Sequence, residues 1–145
     1  MNVNKVGYIA ALVGGAVWSA KVALIWGNGG QNTSDGLVAV AYFLGLAALL
    51  VAFLAAGYSV VTTAPIWLRA VVSIAVPLLG WVLFTIMDDA VKGVYSSEGW
   101  LRDELAILIT ASMALVVGVV GVVGVIRSRD SEPRAPHVGG HRAVH

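Results

Sequence analysis

The 145-residue chain is 59% hydrophobic and only 12% charged, with a net charge of +1. A soluble domain carries about 25% charged residues, so the deficit and the clustering of the remaining charges exclude that class. Cysteine is absent, which excludes disulfides, thiolate metal sites, iron–sulfur clusters and lipid attachment at cysteine.

Long segments without a full charge separate Asp35 from Arg69, Arg69 from Asp88, and Glu104 from Arg127. Crossing about 30 Å of hydrocarbon takes about 20 largely apolar residues. The pattern predicts an all-α membrane protein, a four-helix transmembrane bundle over 1–127 with spans at 6–26, 37–61, 66–87 and 105–126. The first span follows Lys5, as the apolar part of a signal peptide also does. Trp18 and Lys21 stand where small cleavage-site residues are needed, and no A-x-A site lies beside them, so the segment reads as a retained span.

The first connection, 27–36, reads GNGGQNTSDG, a run of turn formers. In the second, Thr62, Thr63 and Ala64 lead to Pro65, which suits the first turn of a helix because its missing N–H has no partner there. Pro77 and Gly80 fall inside the third span and predict a kink. The third connection, 88–104, is the longest and most polar, and Ser96, Ser97, Glu98, Gly99, Trp100 and Leu101 suit a short interfacial turn. After Ile126 the chain becomes RSRDSEPRAPHVGGHRAVH, which predicts a disordered, basic cytoplasmic tail over 128–145.

Charge sidedness predicts an N-in/C-in cell-membrane protein, multi-pass, with both termini cytoplasmic. Lys5, Arg69, Arg127, Arg129, Arg134 and Arg142 fall on one side of the four-span arrangement. The other side has Lys92 and Arg102 against Asp35, Asp88, Asp89, Glu98, Asp103 and Glu104. Aromatic residues agree: Tyr8, Tyr58 and Trp67 mark the inner boundary, and Trp26, Tyr42, Tyr95 and Trp100 the outer one.

Small residues let membrane helices approach closely, at crossing angles of about +20°. Gly45, Ala48, Ala52, Ala55 and Ser59 form such a stripe on the second helix, and Ala111, Ala114, Gly118 and Gly121 on the fourth, with Gly7, Ala11 and Gly15 on the first. Packing within the bundle is the first reading, and contact with a second copy or a larger membrane complex the other.

Lys21, a full charge inside the first span, is the foremost candidate for function. Its side chain tilts toward the helix N-terminus, and so inward, which opposes snorkelling to the outer headgroups. Asp88 and Asp89 end the predicted third span at the same level, where carboxylates oppose the helix dipole. A Lys21–Asp88/Asp89 pair or ligand site is therefore expected, with the Trp18 ring against the ammonium. Lys92, three and four residues beyond the two aspartates, is the rival partner.

Catalytic chemistry has little to work with. No histidine falls in a span, which removes haem ligation and metalloprotease or serine–histidine chemistry there. Asp88 and Asp89, about 100° apart on a helix, make a poor aspartyl dyad. Gly118, Gly121 and Gly124 form a helical ridge, with no strand before it to make a dinucleotide fingerprint. His137, His141 and His145 share a four-residue spacing, but Gly139 and Gly140 interrupt it, leaving a weak metal candidate. The tail arginines suit anionic headgroups, and with no aromatics among them nucleic acid is not expected.

In composition the chain resembles small four-span bacterial membrane proteins, a resemblance that carries over no functional residue. A non-enzymatic accessory or structural subunit without cofactor is the expected function, its partners membrane lipids, a second copy or a larger complex. The alternative is a small homo-oligomeric transport or ligand-binding protein with an outward-facing polar site around Lys21 and Asp88/Asp89.

Overall fold

The computed structural model describes residues 3–30, 36–94 and 99–130. They form four helices: α1 (Val3–Gly27), α2 (Gly36–Val60), α3 (Ile66–Val94) and α4 (Trp100–Asp130). All four are long and apolar enough to cross a membrane. Asp35, Tyr95, Ser96, Ser97, Glu98 and residues 131–145, with His137, His141 and His145, lie outside the described residues.

Local chemistry sets the ends. After Gly27 the chain turns through Gly29 (φ 70°) and Gly30 (φ 80°), a backbone conformation that suits glycine. The amides of Gly29 and Gly30 return to the carbonyls of Trp26 and Ile25, at 3.0 and 2.9 Å. Pro65 stands just before α3, and its carbonyl accepts from the Leu68 and Arg69 amides at 3.0 and 3.2 Å. α3 continues through Pro77.

The region 88–104 differs from the expected long polar connection. Seven further residues, through Val94, belong to α3, supported on one face by Lys92 donating to Asp88 Oδ2 at 2.6 Å, one turn apart. α4 begins at Trp100, with the Gly99 carbonyl accepting from the Arg102 amide at 3.1 Å. Arg102, Asp103 and Glu104 are thus helical. At its other end α4 runs through Asp130, so the expected boundary near residue 127 falls inside the helix.

α1 packs closely along both α2 and α4, while α3 closes the ring against α2 and, most sparsely, against α4. Neighbouring helices are antiparallel: α1 meets α2 from Gly7 beside Ala55 to Trp18 beside Gly45, and meets α4 from Tyr8 beside Gly121 to Lys21 beside Glu104. The end with the α1–α2 and α3–α4 connections is called distal, and the opposite end proximal.

The seam of α1 explains this arrangement. Gly7, Ala11, Gly14, Trp18, Lys21 and Ile25 are all buried and recur at alternating spacings of four and three. That repeat keeps one stripe facing its neighbours in left-handed packing. At Gly15 a Cβ would stand 2.8 Å from the Ala111 carbonyl oxygen, so only glycine allows this approach to α4. Three large side chains of α1 fill glycine hollows: Trp18 lies on Gly45, Leu12 on Gly118, and Tyr8 on Gly121. Ala48 and Ala52 remain half-buried on α2, whereas Gly57, absent from the expected stripe, is buried within 2.7 Å (Cβ position) of Ser73 Cα on α3. Trp18, Val22, Leu49, Ile107 and Ala111 form the apolar core. No residue of α3 is buried.

Candidate functional site

The heptad line of α1 brings Lys21 to the α1–α4 seam near the distal end. The corresponding line of α4 runs through Gly118, Ala111 and Glu104, seven residues apart and all buried. Antiparallel packing of the two lines sets Lys21 opposite Glu104. Lys21 Nζ donates to Glu104 Oε1 at 2.7 Å and to Oε2 at 2.5 Å. The residues are 5% and 7% exposed, so both charges are out of solvent.

Aromatic rings complete the surroundings. The Lys21 ammonium lies 5.5 Å from the Tyr42 ring centroid, within reach of a cation–π interaction. Trp18 stacks on Tyr42, with centroids 5.9 Å apart and planes within 7°. Its Nε1 donates to the Tyr42 carbonyl at 3.0 Å, joining α1 to α2 beside the ion pair. Phe84 of α3 leans on Trp18 at 6.1 Å, and Trp81 on Phe84 at 6.2 Å. At the distal end the Trp100 ring lies on Gly30, whose lack of a side chain leaves it room.

Four expected roles are redistributed. Lys21 pairs with Glu104 and with neither Asp88 nor Asp89. Asp88 is engaged by Lys92 on its own helix, and Asp89 is exposed. Continuing α3 past Met87 leaves the two aspartates within a helix, where the dipole of a helix end does not act on them. Trp18 supports Tyr42, and Tyr42 supplies the ring facing the ammonium.

Local polarity places Glu104 in the connection, because it ends a polar stretch. Its signal lay in spacing: carrying the Gly118–Ala111 line back one more heptad arrives at Glu104.

The bundle also holds a cavity of about 530 Å³. It runs from Asn4 and Ser59 at the proximal end to Trp18, Tyr42 and Phe84, and every helix contributes to its apolar wall. Lys21 and Glu104 are not in that wall. Thr110, one of its few polar residues, donates to the Ala106 carbonyl on its own helix at 2.9 Å. Among the described residues no group of three or more histidine, aspartate, glutamate or cysteine side chains is placed to hold a metal ion.

Compared with the profiles of known protein families, with curated proteins and with solved structures, the chain matches none.

Proposed function

We propose that this is a non-enzymatic, multi-pass protein of the cell membrane, an accessory or structural subunit that works through helix–helix contacts. The observation that carries the reading is that Lys21, the residue best suited to a ligand or proton, is already held by Glu104 in a dry seam. A polar residue at one position of an otherwise apolar seam specifies register at some expense of stability. The pair fixes how far α1 slides along α4, and so presents one fixed outer surface to partners.

In this reading the proximal end faces the cytoplasm. Lys5, Arg69 and Arg127 lie there, whereas Asp88, Asp89 and Asp103 lie toward the distal end with Lys92 and Arg102. Arg134 and Arg142, beyond α4 in sequence, then belong to the cytoplasmic side, where anionic headgroups or a partner suit them.

The transport or ligand-binding alternative requires a polar passage to Lys21. The cavity that approaches from the proximal end is apolar and stops at the Trp18–Tyr42 stack, which favours the structural role.

Purification of the full chain in mild detergent, followed by mass measurement of the intact particle, tests the proposal. A stable complex with a second protein supports the accessory role. A defined homo-oligomer without other proteins shifts the balance to a self-assembling structural unit. A lone monomer overturns both forms.

A further inference from the structure

The large cavity has no part in the ion pair. Its chemistry excludes most occupants. A wall with so few polar groups offers water few partners and suits an apolar occupant. Left empty, it would deprive the surrounding side chains of contacts on one side. Its volume of about 530 Å³ falls within the range of ligand-binding pockets.

Two features say what enters. The first is access. Trp81 of α3 and Met113 and Val117 of α4 line the cavity and are also exposed, at 52%, 64% and 55%. Leu50 and Phe53 of α2 line it and are exposed too, at 47% and 37%, so the cavity opens on both flanks of α3, and the α3–α4 seam is the sparser of the two. In four helices apolar enough to cross a membrane, the medium at that opening is lipid hydrocarbon.

The second is length and charge. From Asn4 to Trp18 the wall follows α1 for about 21 Å at helical rise, whereas one leaflet contributes about 15 Å of hydrocarbon. A whole acyl chain fits lengthwise. Its headgroup would emerge at the proximal end, where Lys5, Arg69 and Arg127 make the local charge positive. We infer that the cavity holds one acyl chain of an anionic phospholipid, inserted through the α3–α4 seam with its headgroup at the proximal end. The lipid completes the packing of α3, which buries no residue of its own. This inference goes beyond the accessory role and does not depend on it.

Native mass spectrometry of the full chain, stripped of lipid in detergent and titrated with dioleoyl phosphatidylglycerol or dioleoyl phosphatidylcholine, tests it. One phosphatidylglycerol per chain is expected, with binding weaker by about tenfold for phosphatidylcholine. Ala114→Phe and Ala52→Leu each fill part of the cavity and should weaken phosphatidylglycerol binding by about tenfold, with helical content unchanged by circular dichroism. Brominated-chain phosphatidylglycerol supplies a readout with no side chain added to the cavity, although Trp81 of its wall becomes phenylalanine. It should quench Trp18, which is 3% exposed and shielded from surrounding lipid, in a chain whose other tryptophans are replaced by phenylalanine. Absence of a bound lipid, undiminished binding by both filled variants, unquenched Trp18, or a lipid-free dimer would each overturn the inference. Equal binding of the two lipids would overturn the anionic headgroup.

Discussion

Lys21 and Glu104 leave water together, and this makes the consequences of changing them asymmetric. Removing one partner strands the other as an isolated charge in apolar surroundings, at a cost of about 3–5 kcal/mol. Replacing both with apolar residues of similar volume removes the desolvation penalty along with the attraction. Lys21→Met and Glu104→Gln should therefore each lower unfolding stability in detergent by about 3–5 kcal/mol, and Lys21→Met with Glu104→Met by much less than the sum. Additive losses would show that the two residues are not coupled. Asp88→Asn, by contrast, breaks a partly exposed one-turn pair and should cost no more than about 0.5 kcal/mol. The importance of Lys21 was legible from its charge within an apolar span. Its partner was harder to see, because local polarity places Glu104 in a loop while helical periodicity places it in the seam, and tertiary packing decides for the second.

Among the elements, α1 is the one around which the others are arranged, and its glycines carry different loads. At Gly15 an added side chain meets the Ala111 carbonyl oxygen and Leu115 amide of α4, neither of which can move without the helix. Gly15→Leu should force α1 and α4 apart and cost about 1–3 kcal/mol or more. Gly124 faces open space, so Gly124→Leu should leave the unfolding midpoint almost unchanged. Parallel thermal melts of the two variants decide this. At this scale the spans and most small-residue stripes were readable from spacing alone. Gly57 was not, since its significance comes from the approach of Ser73, and nothing on α2 announces which face α3 will take.

At the scale of the whole molecule, the proposed orientation rests on charge distribution. The chain's lack of cysteine makes it directly measurable. A cysteine introduced at Gly27, where added side-chain atoms meet no neighbour, belongs to the distal end, and one at exposed Thr63 to the proximal end. A membrane-impermeant maleimide applied to intact cells should label Gly27→Cys and leave Thr63→Cys unlabelled until the membrane is opened. The reverse pattern would invert the topology. The hydropathy that revealed four spans carries no information on how tightly they associate. The cavity under α3 was accordingly invisible in the sequence, where Pro77 and Gly80 indicate only a kink.

The ion pair has a further consequence in time. Lys21 and Glu104 are separated by 83 residues, and at a synthesis rate of about 5–20 residues per second α1 emerges several seconds before its counter-charge. A lysine well inside a span raises the cost of insertion by up to about 3 kcal/mol. During that interval the Lys21 ammonium has no Glu104 to answer it. α4 relieves it on arrival, so the last helix commits the first. A chain that ends before Glu104 keeps an unanswered ammonium in its first helix.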